Sequence, residues 1–440
     1  MKNVTFIGTG YVGLVSGTGI SDFGHKVTCY DISEKKISSL KKGNIPIYEP
    51  GLEELIKKNV VAGRLFFSSN PEIAIKNADV IFIAVGTPMG KDGKADLKYV
   101  KSSAKTIGKY LNSYTVICTK STVPIGSGKK IINIINKSKK SDATFDYISN
   151  PEFLREGSAL NDFLWPDRVV IGGSSKKSFD IMKEIYGPLF KNKQPIVYTT
   201  VTTAEMIKYA SNAFLALKIS YMNEVANLCE SLGADIKQVA KVMGQDGRIS
   251  SKFLHPGPGY GGSCFPKDTE AFASLGRRNG NRIRTIEAAI KTNSEQKLRM
   301  VKKIKNLIGG DFENKIIAIL GLAFKPNTND VRESASLEMI KSIKEMGGTV
   351  KAFDPVANDS MKIIFPDISY KNSWEEACED ADGVVIMTEW NEFRGISLSY
   401  LKSLLKSPVL LDTRNIIDVK KLKKNNFLFD NVGHNKLNEN

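Results

Sequence analysis

The chain has 440 residues, of which 41% are hydrophobic and 25% are charged, and its formal net charge is +16. A chain of this length is expected to divide into two or three domains. Its longest apolar runs are far shorter than the roughly 20 residues of a membrane helix, so no membrane-spanning segment is expected. The first residues run straight into a strand pattern with no room for a signal peptide, which predicts a cytoplasmic protein.

Cysteine, histidine and lysine usage narrows the function further. Five cysteines without a CxxC pair and three scattered histidines predict neither a disulfide framework nor a metal site. The lysines are dispersed and no nucleic-acid-binding motif accompanies them, so a lysine-rich solvated surface is favoured over a nucleic-acid partner.

The first part of the chain alternates buried strands with helical stretches. "VTFIG" (4–8), "GHKVTCYD" (24–31) and "NADVIFIAVGTP" (77–88) are each typical of a buried strand. This βαβ alternation predicts a doubly wound parallel sheet with helices on both faces.

A glycine-rich turn follows the first strand. "GTGYVG" places Gly8, Gly10 and Gly13 in G-x-G-x-x-G spacing. The first glycine permits a tight turn, the second lets a pyrophosphate approach the backbone, and the third lets the helix pack on the strand. The next strand ends in Asp31, whose carboxylate would accept hydrogen bonds from the ribose of NAD and repel the 2′-phosphate of NADP. This pattern predicts an NAD site.

Loops after later strands of the same sheet should face the same cofactor. "VGTP" (85–88) and "STVP" (121–124) are such loops. Thr122 is therefore expected near the nicotinamide. "NPEFLREG" (150–157) adds the carboxylates Glu152 and Glu156, which taken alone are as compatible with surface residues as with catalytic ones.

A long amphipathic helix is predicted over residues 202–235. Its apolar residues recur every three or four positions, Thr202 and Glu205 have capping-box spacing, and Gly233 provides a C-terminal stop. The surplus of apolar surface on this helix suggests the contact of a homodimer.

Lys208 and Asn212 share one face of that helix because they are four residues apart. If buried, a lysine and an asparagine need partners, which an anionic intermediate and its water could supply. An exposed pair on the solvent side remains the alternative.

"GGSCFPKD" (261–268) contains the cysteine with the strongest catalytic character. Cys264 follows two glycines that would let a carbon centre approach the sulfur, and it precedes Lys267 and Asp268. A thiolate is a strong nucleophile and is favoured beside a cation. A packing role in a turn remains open for Cys264. The other cysteines lie within strand or helix patterns and are expected to be structural: Cys29, Cys118, Cys229 and Cys378.

The last third of the chain repeats the order of elements of the first. "IIAILG" (316–321), "GGTVKAFD" (347–354) and "DADGVVIM" (380–387) are again typical of buried strands. The glycine pattern is replaced by "GLAFKPNTNDVRES" (321–334), whose Lys325 and Arg332 suit phosphate groups. We therefore predict an α/β protein with two doubly wound, Rossmann-like parallel-sheet domains joined by a long central helix.

Six motifs, in the same order, resemble those of the UDP-glucose/GDP-mannose dehydrogenase family over essentially the whole chain. They are "GTGYVG", "STVP", "NPEFLREG", the helix with Lys208 and Asn212, "GGSCFPKD" and "GLAFKPNTNDVRES". The resemblance implies an NAD-dependent, four-electron oxidation of a sugar C6 alcohol to a carboxylate, through a thiohemiacetal and a thioester on Cys264. "NPEFLREG" and "GYGGSCFPKD" resemble the branch that converts UDP-glucose to UDP-glucuronate, and UDP-N-acetylmannosamine or GDP-mannose are the alternative substrates.

The resemblance also implies a domain organisation and a setting. Residues 1–200 would form the NAD-binding Rossmann domain, residues 201–300 a central helical dimerisation region, and residues 301–440 a Rossmann-like domain that binds the UDP-sugar. The protein would be a cytoplasmic homodimer of nucleotide-sugar metabolism whose product supplies polysaccharide biosynthesis.

Individual residues acquire expected roles from the same resemblance. The catalytic residues would be Cys264 as nucleophile, Lys208 and Asn212 as stabilisers of oxyanions or water, Asp268 as polar partner or base, Glu152 as general base through water, and Thr122 as a positioner of that water. The cofactor contacts would be Gly8, Gly10, Tyr11, Val12, Gly13, Asp31, Lys36, Thr87, Thr122, Glu156, Lys267 and Arg332. The substrate contacts would be Glu152, Phe153, Leu154, Arg155, Lys208, Asn212, Arg248, Phe253, Gly261, Phe324, Lys325 and Arg414, with Arg248 reaching into the site of the neighbouring subunit.

Overall fold

The computed structural model describes residues 1–90, 93, 95–191 and 195–433. The chain forms two compact units, Met1–Ser211 and Asn212–Asn440. The end of the predicted third region, residues 434–440, lies outside the described residues.

The first unit is built on one twisted sheet flanked by helices. Its strands are β1 (Asn3–Ile7), β2 (Lys26–Tyr30), β3 (Leu65–Ser68), β4 (Val80–Ile83), β5 (Thr115–Thr119), β6 (Phe145–Ser149), β7 (Val169–Gly172) and β8 (Ile196–Thr199). Its helices are α1 (Tyr11–Asp22), α2 (Glu34–Lys41), α3 (Leu52–Val61), α4 (Pro71–Ile75), α5 (Lys98–Tyr110), α6 (Ser127–Ser138), α7 (Ala159–Leu164), α8 (Lys176–Ile185) and α9 (Gly187–Lys191). Helix α10 (Val201–Leu232) begins in the first unit and ends in the second.

Strand order and register bring the sequence motifs to one edge of this sheet. The order is β3-β2-β1-β4-β5-β6-β7-β8, and Ile7 of β1 pairs with Tyr30 of β2 and Ile83 of β4. The strands β4 and β5 are buried along their whole length, as expected of central strands covered on both faces. The loops that follow β1, β2, β4 and β5 therefore leave the sheet at the same carboxyl edge, where ligands bind in such folds. Only the β6–β7 pair is antiparallel in the described sheet.

The second unit repeats this arrangement. Its strands are β9 (Ile316–Leu320), β10 (Thr349–Phe353), β11 (Ser369–Tyr370), β12 (Gly383–Ile386), β13 (Val409–Asp412) and β14 (Leu428–Asn431). Its helices are α11 (Ile236–Gln245), α12 (Phe265–Arg278), α13 (Arg284–Leu307), α14 (Ala335–Glu345), α15 (Asn358–Lys362), α16 (Trp374–Cys378), α17 (Asn391–Arg394), α18 (Leu398–Leu404) and α19 (Val419–Lys424). The order β11-β10-β9-β12-β13-β14 is parallel throughout and matches that of the first six strands of the first unit. The predicted fold, two doubly wound sheets with a long central helix, is confirmed.

The capping box predicted for the long helix is wrong. Helix α10 begins at Val201, and the hydroxyl of Thr200 accepts the N–H of Thr203 at 3.2 Å. Glu205 instead accepts the N–H groups of Gly126 at 2.6 Å and Gly128 at 2.9 Å. These donors lie at the N-terminus of α6, where a carboxylate is favoured by the helix dipole.

The predicted stop of the long helix is confirmed. Helix α10 ends at Leu232, and Gly233 follows with φ of +77°, a left-handed conformation that glycine adopts without strain. None of the helices in the described part of the chain is both long enough and apolar enough to cross a membrane.

Candidate active site

The turn between β1 and α1 has the geometry of a phosphate-binding site. A methyl group at Gly13 would lie 1.9 Å from the carbonyl oxygen of Gly8, so only glycine lets α1 pack this closely on the turn. A methyl group at Gly10 would meet no atom within 4 Å. Gly10 is also the N-cap of α1 and supplies no side chain to cap it. The N-terminus of α1 therefore faces open space in which a ligand phosphate can approach backbone N–H groups.

Asp31 stands directly after β2 and beside this turn. One carboxylate oxygen accepts the N–H and the hydroxyl of Thr9 at 3.0 and 2.8 Å, the other accepts the N–H of Ser33 at 3.0 Å, and Lys36 Nζ lies 3.9 Å away. Burial would raise the pKa of Asp31, but these donors and the charge of Lys36 outweigh burial and lower it. Asp31 is therefore ionised at neutral pH and keeps lone pairs for the hydroxyls of a ribose. The turn and Asp31 together fit NAD.

The loop after β5 is fixed at both of its ends. Thr87 donates its hydroxyl to the carbonyl of Thr122 at 2.9 Å, which joins the two predicted cofactor loops. At the far end of the loop, Glu205 receives the two N–H groups at the start of α6. Glu205 is therefore a residue that attaches the Thr122 loop to the first turns of α10.

Glu152 and Lys208 form a buried ion pair within the first unit. Lys208 Nζ lies 3.1 Å from Glu152 Oε1, and the N–H of Leu154 donates to Glu152 Oε2 at 2.6 Å. The ring of Phe153 lies beneath the guanidinium of Arg168 at 3.6 Å and 5.3 Å from Lys208 Nζ. The alternative of a solvent-exposed lysine is excluded for Lys208, whose side chain is 4% exposed.

A second buried lysine lies next to this pair. Lys120, the residue after β5, donates to Asn150 Oδ1 at 3.1 Å and to the hydroxyl of Tyr186 at 3.3 Å. Tyr186 in turn donates to Asn150 Oδ1 at 2.7 Å. Burial lowers the pKa of Lys120 to about 8, with Glu152 opposing the shift. Asn150 begins the "NPEFLREG" segment, so Lys120 anchors the strand end that carries Glu152.

The rest of that segment is held by carboxylates that the sequence analysis did not single out. The hydroxyl of Tyr11 and the N–H of Gly157 both donate to Glu49, and the Gly157 N–H also reaches the Tyr11 oxygen at 2.8 Å. Arg155 is exposed and pairs with Asp162 at 2.5 Å. Three further predicted contacts of the first unit are partly buried. Val12 and Leu154 pack against its core, and Glu156 follows Arg155 in the chain.

Cys264 differs from the other four cysteines in its surroundings. It is the N-cap of α12 and is only half-buried, whereas Cys29, Cys118, Cys229 and Cys378 are buried. Burial raises the pKa of Cys29 and of Cys378 to about 12, and it also raises the pKa of the other two buried thiols. Cys264 thus combines partial exposure with a position at a helix N-terminus, which favours a neighbouring negative charge.

Polar residues of α10 and α12 meet near Cys264 in the second unit. Asp268, one turn after Cys264, is fully buried, with Asn212 Nδ2 donating to one oxygen at 2.6 Å and Lys267 Nζ to the other at 2.5 Å. Asn212 and Lys267, each predicted as a site residue, therefore fix the carboxylate of Asp268, and a solvent-exposed Asn212 is excluded.

The glycines before Cys264 pack against Phe324, a predicted substrate contact, and against Glu333. A methyl group at Gly261 would lie 2.4 Å from the carbonyl of Glu333, and one at Gly262 would lie 2.8 Å from the ring of Phe324. The guanidinium of Arg414 donates to the carbonyl of Phe324 at 2.9 Å. The structure thus brings the loop after β9 and the loop after β13 to the backbone that leads to Cys264.

The remaining predicted residues of the second unit differ in how closely they join this group. The ring of Phe253 lies 6.2 Å from that of Phe265, the neighbour of Cys264, and Lys325 Nζ lies 5.5 Å from the ring of Phe324. The carbonyl of Arg332 accepts the N–H of Gly262, while its guanidinium pairs with Asp330. Arg248 is exposed and pairs with Asp246, and no described contact joins it to the Cys264 group.

Sequence reasoning missed several residues that hold these groups in place. Some carried a usable signal, because a charged residue directly after a buried strand, or an amide on the apolar face of a helix, must find a partner. Others carried none, because their partners are far apart in the chain. The missed residues are Glu49, Lys120, Asn150, Arg168, Tyr186, Glu205, Asn223, Asn293 and Gln296. Among the described residues, no group of three or more His, Cys, Asp or Glu side chains is arranged to hold a metal ion.

Comparison with known proteins places the whole chain in one family. Residues 2–190 match the NAD binding domain, residues 202–295 the central domain, and residues 318–419 the UDP binding domain of the UDP-glucose/GDP-mannose dehydrogenase family. The chain is 48% identical to UDP-glucose 6-dehydrogenase TuaD of Bacillus subtilis, over 98% of this chain and 93% of that protein. It is 47% identical to UDP-glucose 6-dehydrogenase of Rhizobium meliloti, over 98% of this chain and 99% of that protein.

A solved structure gives the same result. The UDP-glucose dehydrogenase from the hyperthermophilic archaeon Pyrobaculum islandicum is 36% identical and superposes with a TM-score of 0.91, covering 98% of each chain. The predicted NAD dependence and dehydrogenase activity are thereby confirmed. The chain belongs to the UDP-glucose/GDP-mannose dehydrogenase family and is an NAD-dependent enzyme that oxidises a nucleotide sugar.

Proposed function

We propose that this enzyme oxidises UDP-glucose to UDP-glucuronate, reducing two NAD and consuming one water for each sugar. The observation that carries the proposal is Cys264, a half-buried thiol at the N-terminus of α12 with the Asn212–Asp268–Lys267 contacts one turn away. An alcohol dehydrogenase without such a nucleophile stops at the aldehyde, because an aldehyde carbon has no hydride to release at a favourable energy until a nucleophile adds to it.

The proposed reaction has two oxidations and one hydrolysis. The C6 alcohol loses a hydride and a proton and becomes an aldehyde. The sulfur of Cys264 bonds to the aldehyde carbon, and its proton passes to the oxygen, which gives a thiohemiacetal. A second loss of hydride and proton gives a thioester. Water then attacks the thioester carbon, the carbon–sulfur bond breaks, and a carboxylate and the free thiol result. NAD, when bound, accepts the hydride in both oxidations.

Each catalytic residue has a proposed task in this sequence. Lys208 and Asn212 stabilise the oxygen that becomes negative or hold the attacking water, since a cation and an amide donor both favour an oxyanion. Asp268, fixed by its two partners, serves as a polar partner or base. Glu152 acts as general base on water, with Thr122 helping to hold that water. The ion pair with Lys208 keeps Glu152 oriented before the reaction.

The cofactor and substrate contacts keep their predicted roles in the proposal. The turn from Gly8 to Gly13 and Asp31 hold the pyrophosphate and the ribose of NAD, with Lys36, Thr87, Thr122, Glu156, Lys267 and Arg332 around them. Phe253, Gly261, Phe324, Lys325 and Arg414 contact the UDP-sugar. We assign residues 1–200 to NAD binding, residues 201–300 to the central dimerisation region, and residues 301–440 to the UDP-sugar.

We further propose a cytoplasmic homodimer whose product serves polysaccharide biosynthesis. Phe214, Tyr221 and Leu228 recur at seven-residue intervals along α10, and their exposed fractions are 60%, 51% and 58%. Residues at this spacing form one stripe on a helix and are typical of a helix that packs against another helix. This stripe supports dimerisation through α10. In the homodimer, Arg248 is expected to act in the neighbouring site.

Counting NADH tests the reaction. With UDP-glucose in limiting amount, we expect two NADH per sugar, and one NADH per sugar would contradict the proposal.

Cys264→Ser should lower kcat by at least about a thousandfold while NAD still binds, because the second oxidation loses its nucleophile. Cys378→Ala, which alters a buried cysteine outside this group, is the matched control and should retain activity. Turnover of UDP-N-acetylmannosamine in place of UDP-glucose would assign the same chemistry to the alternative substrate.

A further inference from the structure

The backbone that precedes Cys264 is held by carboxamide side chains. Residues 256–263 lie outside the strands and helices of the described chain, and this segment contains two prolines without an N–H. Two helices each contribute a pair of carboxamides on one face, at a spacing of four and three residues. The side chains are Asn223 and Asn227 of α10, and Asn293 and Gln296 of α13.

Asn293 pairs with both backbone groups of Tyr260. The N–H of Tyr260 donates to Asn293 Oδ1 at 2.6 Å, and Asn293 Nδ2 donates to the carbonyl of Tyr260 at 3.1 Å. Asn293 and Tyr260 are both buried. Because Tyr260 presents one donor and one acceptor, only this orientation of the Asn293 amide satisfies both, and the pair fixes the peptide planes on either side of Tyr260.

Gly257 is held in the same way by two side chains. Its N–H donates to Asn223 Oδ1 at 2.8 Å, and its carbonyl accepts Gln296 Nε2 at 2.9 Å. Asn227 Nδ2 donates to Gln296 Oε1 at 3.0 Å and so fixes the orientation of the Gln296 amide. Both polar groups of Gly257 and both of Tyr260 are therefore satisfied by side chains of α10 and α13.

The chain between Tyr260 and Cys264 has little room to absorb a displacement. At Gly259, with φ of +108°, a methyl group would lie 2.8 Å from Asn293 Oδ1. Further on, the N–H of Gly262 donates to the carbonyl of Arg332 at 2.8 Å, and Gly261 approaches the carbonyl of Glu333. A shift of Tyr260 is therefore transmitted to Cys264, and a misplacement of about 1 Å at a reacting atom costs about a hundredfold in rate.

We propose that Asn293, Gln296 and Asn223 are positioning residues, which fix the backbone of Gly257 and Tyr260 and thereby hold the Cys264 thiol and the neighbouring substrate loop in the reactive geometry. The proposal rests on the function proposed above for Cys264. Asn293 makes the largest contribution of the three, because it forms two hydrogen bonds to Tyr260, which is nearer to Cys264 in the chain than Gly257 is.

Replacing Asn293 by aspartate tests this proposal through the protonation of one group. The ionised carboxylate accepts the N–H of Tyr260 but repels its carbonyl, whereas the protonated carboxyl has one donor and one acceptor and replaces the amide. Asn293→Ala can form neither bond at any pH. Asn306→Asp, at an exposed position of the same helix, is the matched control. The charged groups described near position 293 are Lys297 and Glu333, which lie 3.8 Å apart.

Activity is measured relative to the parent enzyme from about pH 5 to about pH 9, so that titrations common to both cancel. At the alkaline end, kcat/KM for UDP-glucose is expected to fall about a hundredfold in both Asn293 variants. Toward the acid end, Asn293→Asp recovers and Asn293→Ala does not. The dissociation constant of NAD, measured by calorimetry, stays within about twofold of the parent value. Equal losses for both variants at every pH, or unchanged kcat/KM in both, overturn the proposal.

Two further measurements keep the test decisive. If Asn293→Asp does not fold at alkaline pH, Gln296→Met, which is similar in size and removes the bond to Gly257, should still lower kcat/KM without weakening NAD binding. If the parent enzyme does not oxidise UDP-glucose, the proposed function fails, but the positioning role of Asn293 can still be tested by hydrogen exchange. Exchange of the Tyr260 amide should accelerate about tenfold in Asn293→Ala. Unchanged exchange of the Tyr260 amide would show that Asn293 does not hold this backbone and would overturn the proposal.

Discussion

The two units have the same order of six strands, yet the chain that follows the first strand of each is built differently. In the first unit, α1 begins at Tyr11, directly after the turn Gly8–Gly10. In the second unit, α14 begins only at Ala335, after the loop from Gly321 to Ser334. Gly321 keeps the left-handed conformation of Gly8, with φ of +94° against +104°. The first glycine is shared, but only the first unit brings a helix N-terminus onto the turn.

The acidic residue at the end of the second strand also changes its role. Asp31 accepts hydrogen bonds from Thr9 and Ser33 and retains room for a ligand. Its counterpart Asp354 is buried and receives the N–H groups of Leu322, Ala323, Val356 and Ala357 and the indole N–H of Trp390. The acceptor that would hold a ribose in the first unit is filled by the protein itself in the second.

Strand order alone therefore does not make a dinucleotide site. Both sheets provide a glycine after the first strand and a carboxylate after the second, in the same register. Space beside the turn and a carboxylate with unfilled lone pairs decide which unit binds NAD. Substitutions at the glycine turn and at the two carboxylates separate these two requirements from the stability of the fold.

The largest effect is expected from a methyl group at the third glycine of the first unit. Gly13→Ala places a methyl group against the carbonyl of Gly8, so we expect a loss of about 3 kcal/mol or more in the free energy of unfolding, and NAD binding should fail with it. Gly10→Ala adds its methyl group in open space and should cost within about 1 kcal/mol. It should nevertheless weaken NAD binding at least about tenfold, because it narrows the approach of the pyrophosphate. Urea denaturation and NAD titration measure the two effects, and NAD affinity unchanged in Gly10→Ala would refute the assigned site.

The two carboxylates should respond in opposite ways to the same change. Asp354→Asn replaces one oxygen of a buried carboxylate that accepts five N–H groups by an NH2 group, which is itself a donor, and we expect the free energy of unfolding to fall by about 3 kcal/mol with little effect on NAD affinity. Asp31→Asn should cost only about 1 kcal/mol in stability but weaken NAD binding about tenfold. Each variant serves as the control for the other. Weaker NAD binding in Asp354→Asn than in Asp31→Asn would reverse the comparison.

The smallest effect concerns the residue after the fifth strand of each unit, which is the buried Lys120 in the first and the neutral Thr413 in the second. Burial lowers the pKa of Lys120 to about 8, below the roughly 10.4 of an unfolded lysine. Between these values the unfolded chain binds a proton that the folded chain lacks, so stability rises with pH. The unfolding free energy of the parent minus that of Lys120→Met should therefore increase by about 2 kcal/mol from about pH 8 to about pH 10.

Lys101→Met, which changes an exposed lysine of α5, is the control for this pH dependence. Its difference from the parent should stay constant over the same pH range. If the Lys120→Met difference is also flat, Lys120 titrates like an exposed lysine and does not remain uncharged in the fold above about pH 8.

Much of the site could be predicted because its signals are local in the chain. Gly8, Gly10, Gly13 and Asp31 follow from spacing around two strands, and neighbouring residues largely set the conformation of a tight turn. Cys264 could be singled out from the residues beside it, but a packing role stayed open until its burial was compared with that of the other cysteines.

Other features could not be predicted because their partners are distant in the chain. Glu205 has the local spacing of a capping box, but the N–H groups it accepts belong to Gly126 and Gly128 of another helix. Asp354 has the position of a ribose-binding residue, but Trp390 donates to it from 36 residues away. A local pattern is overruled where a buried group finds a better partner across the fold.

The two doubly wound sheets, the glycine turn, the long helix and the family follow from the amino-acid sequence, because strand periodicity, glycine spacing and ordered motifs are properties of neighbouring residues. The folded structure alone fixes which carboxylate stays open, which partners Lys120, Glu152, Glu205 and Lys208 find, and how carboxamides hold the backbone before Cys264. Those outcomes depend on desolvation and on hydrogen bonds between distant segments, and buried polar groups acquire their partners only when the chain has folded.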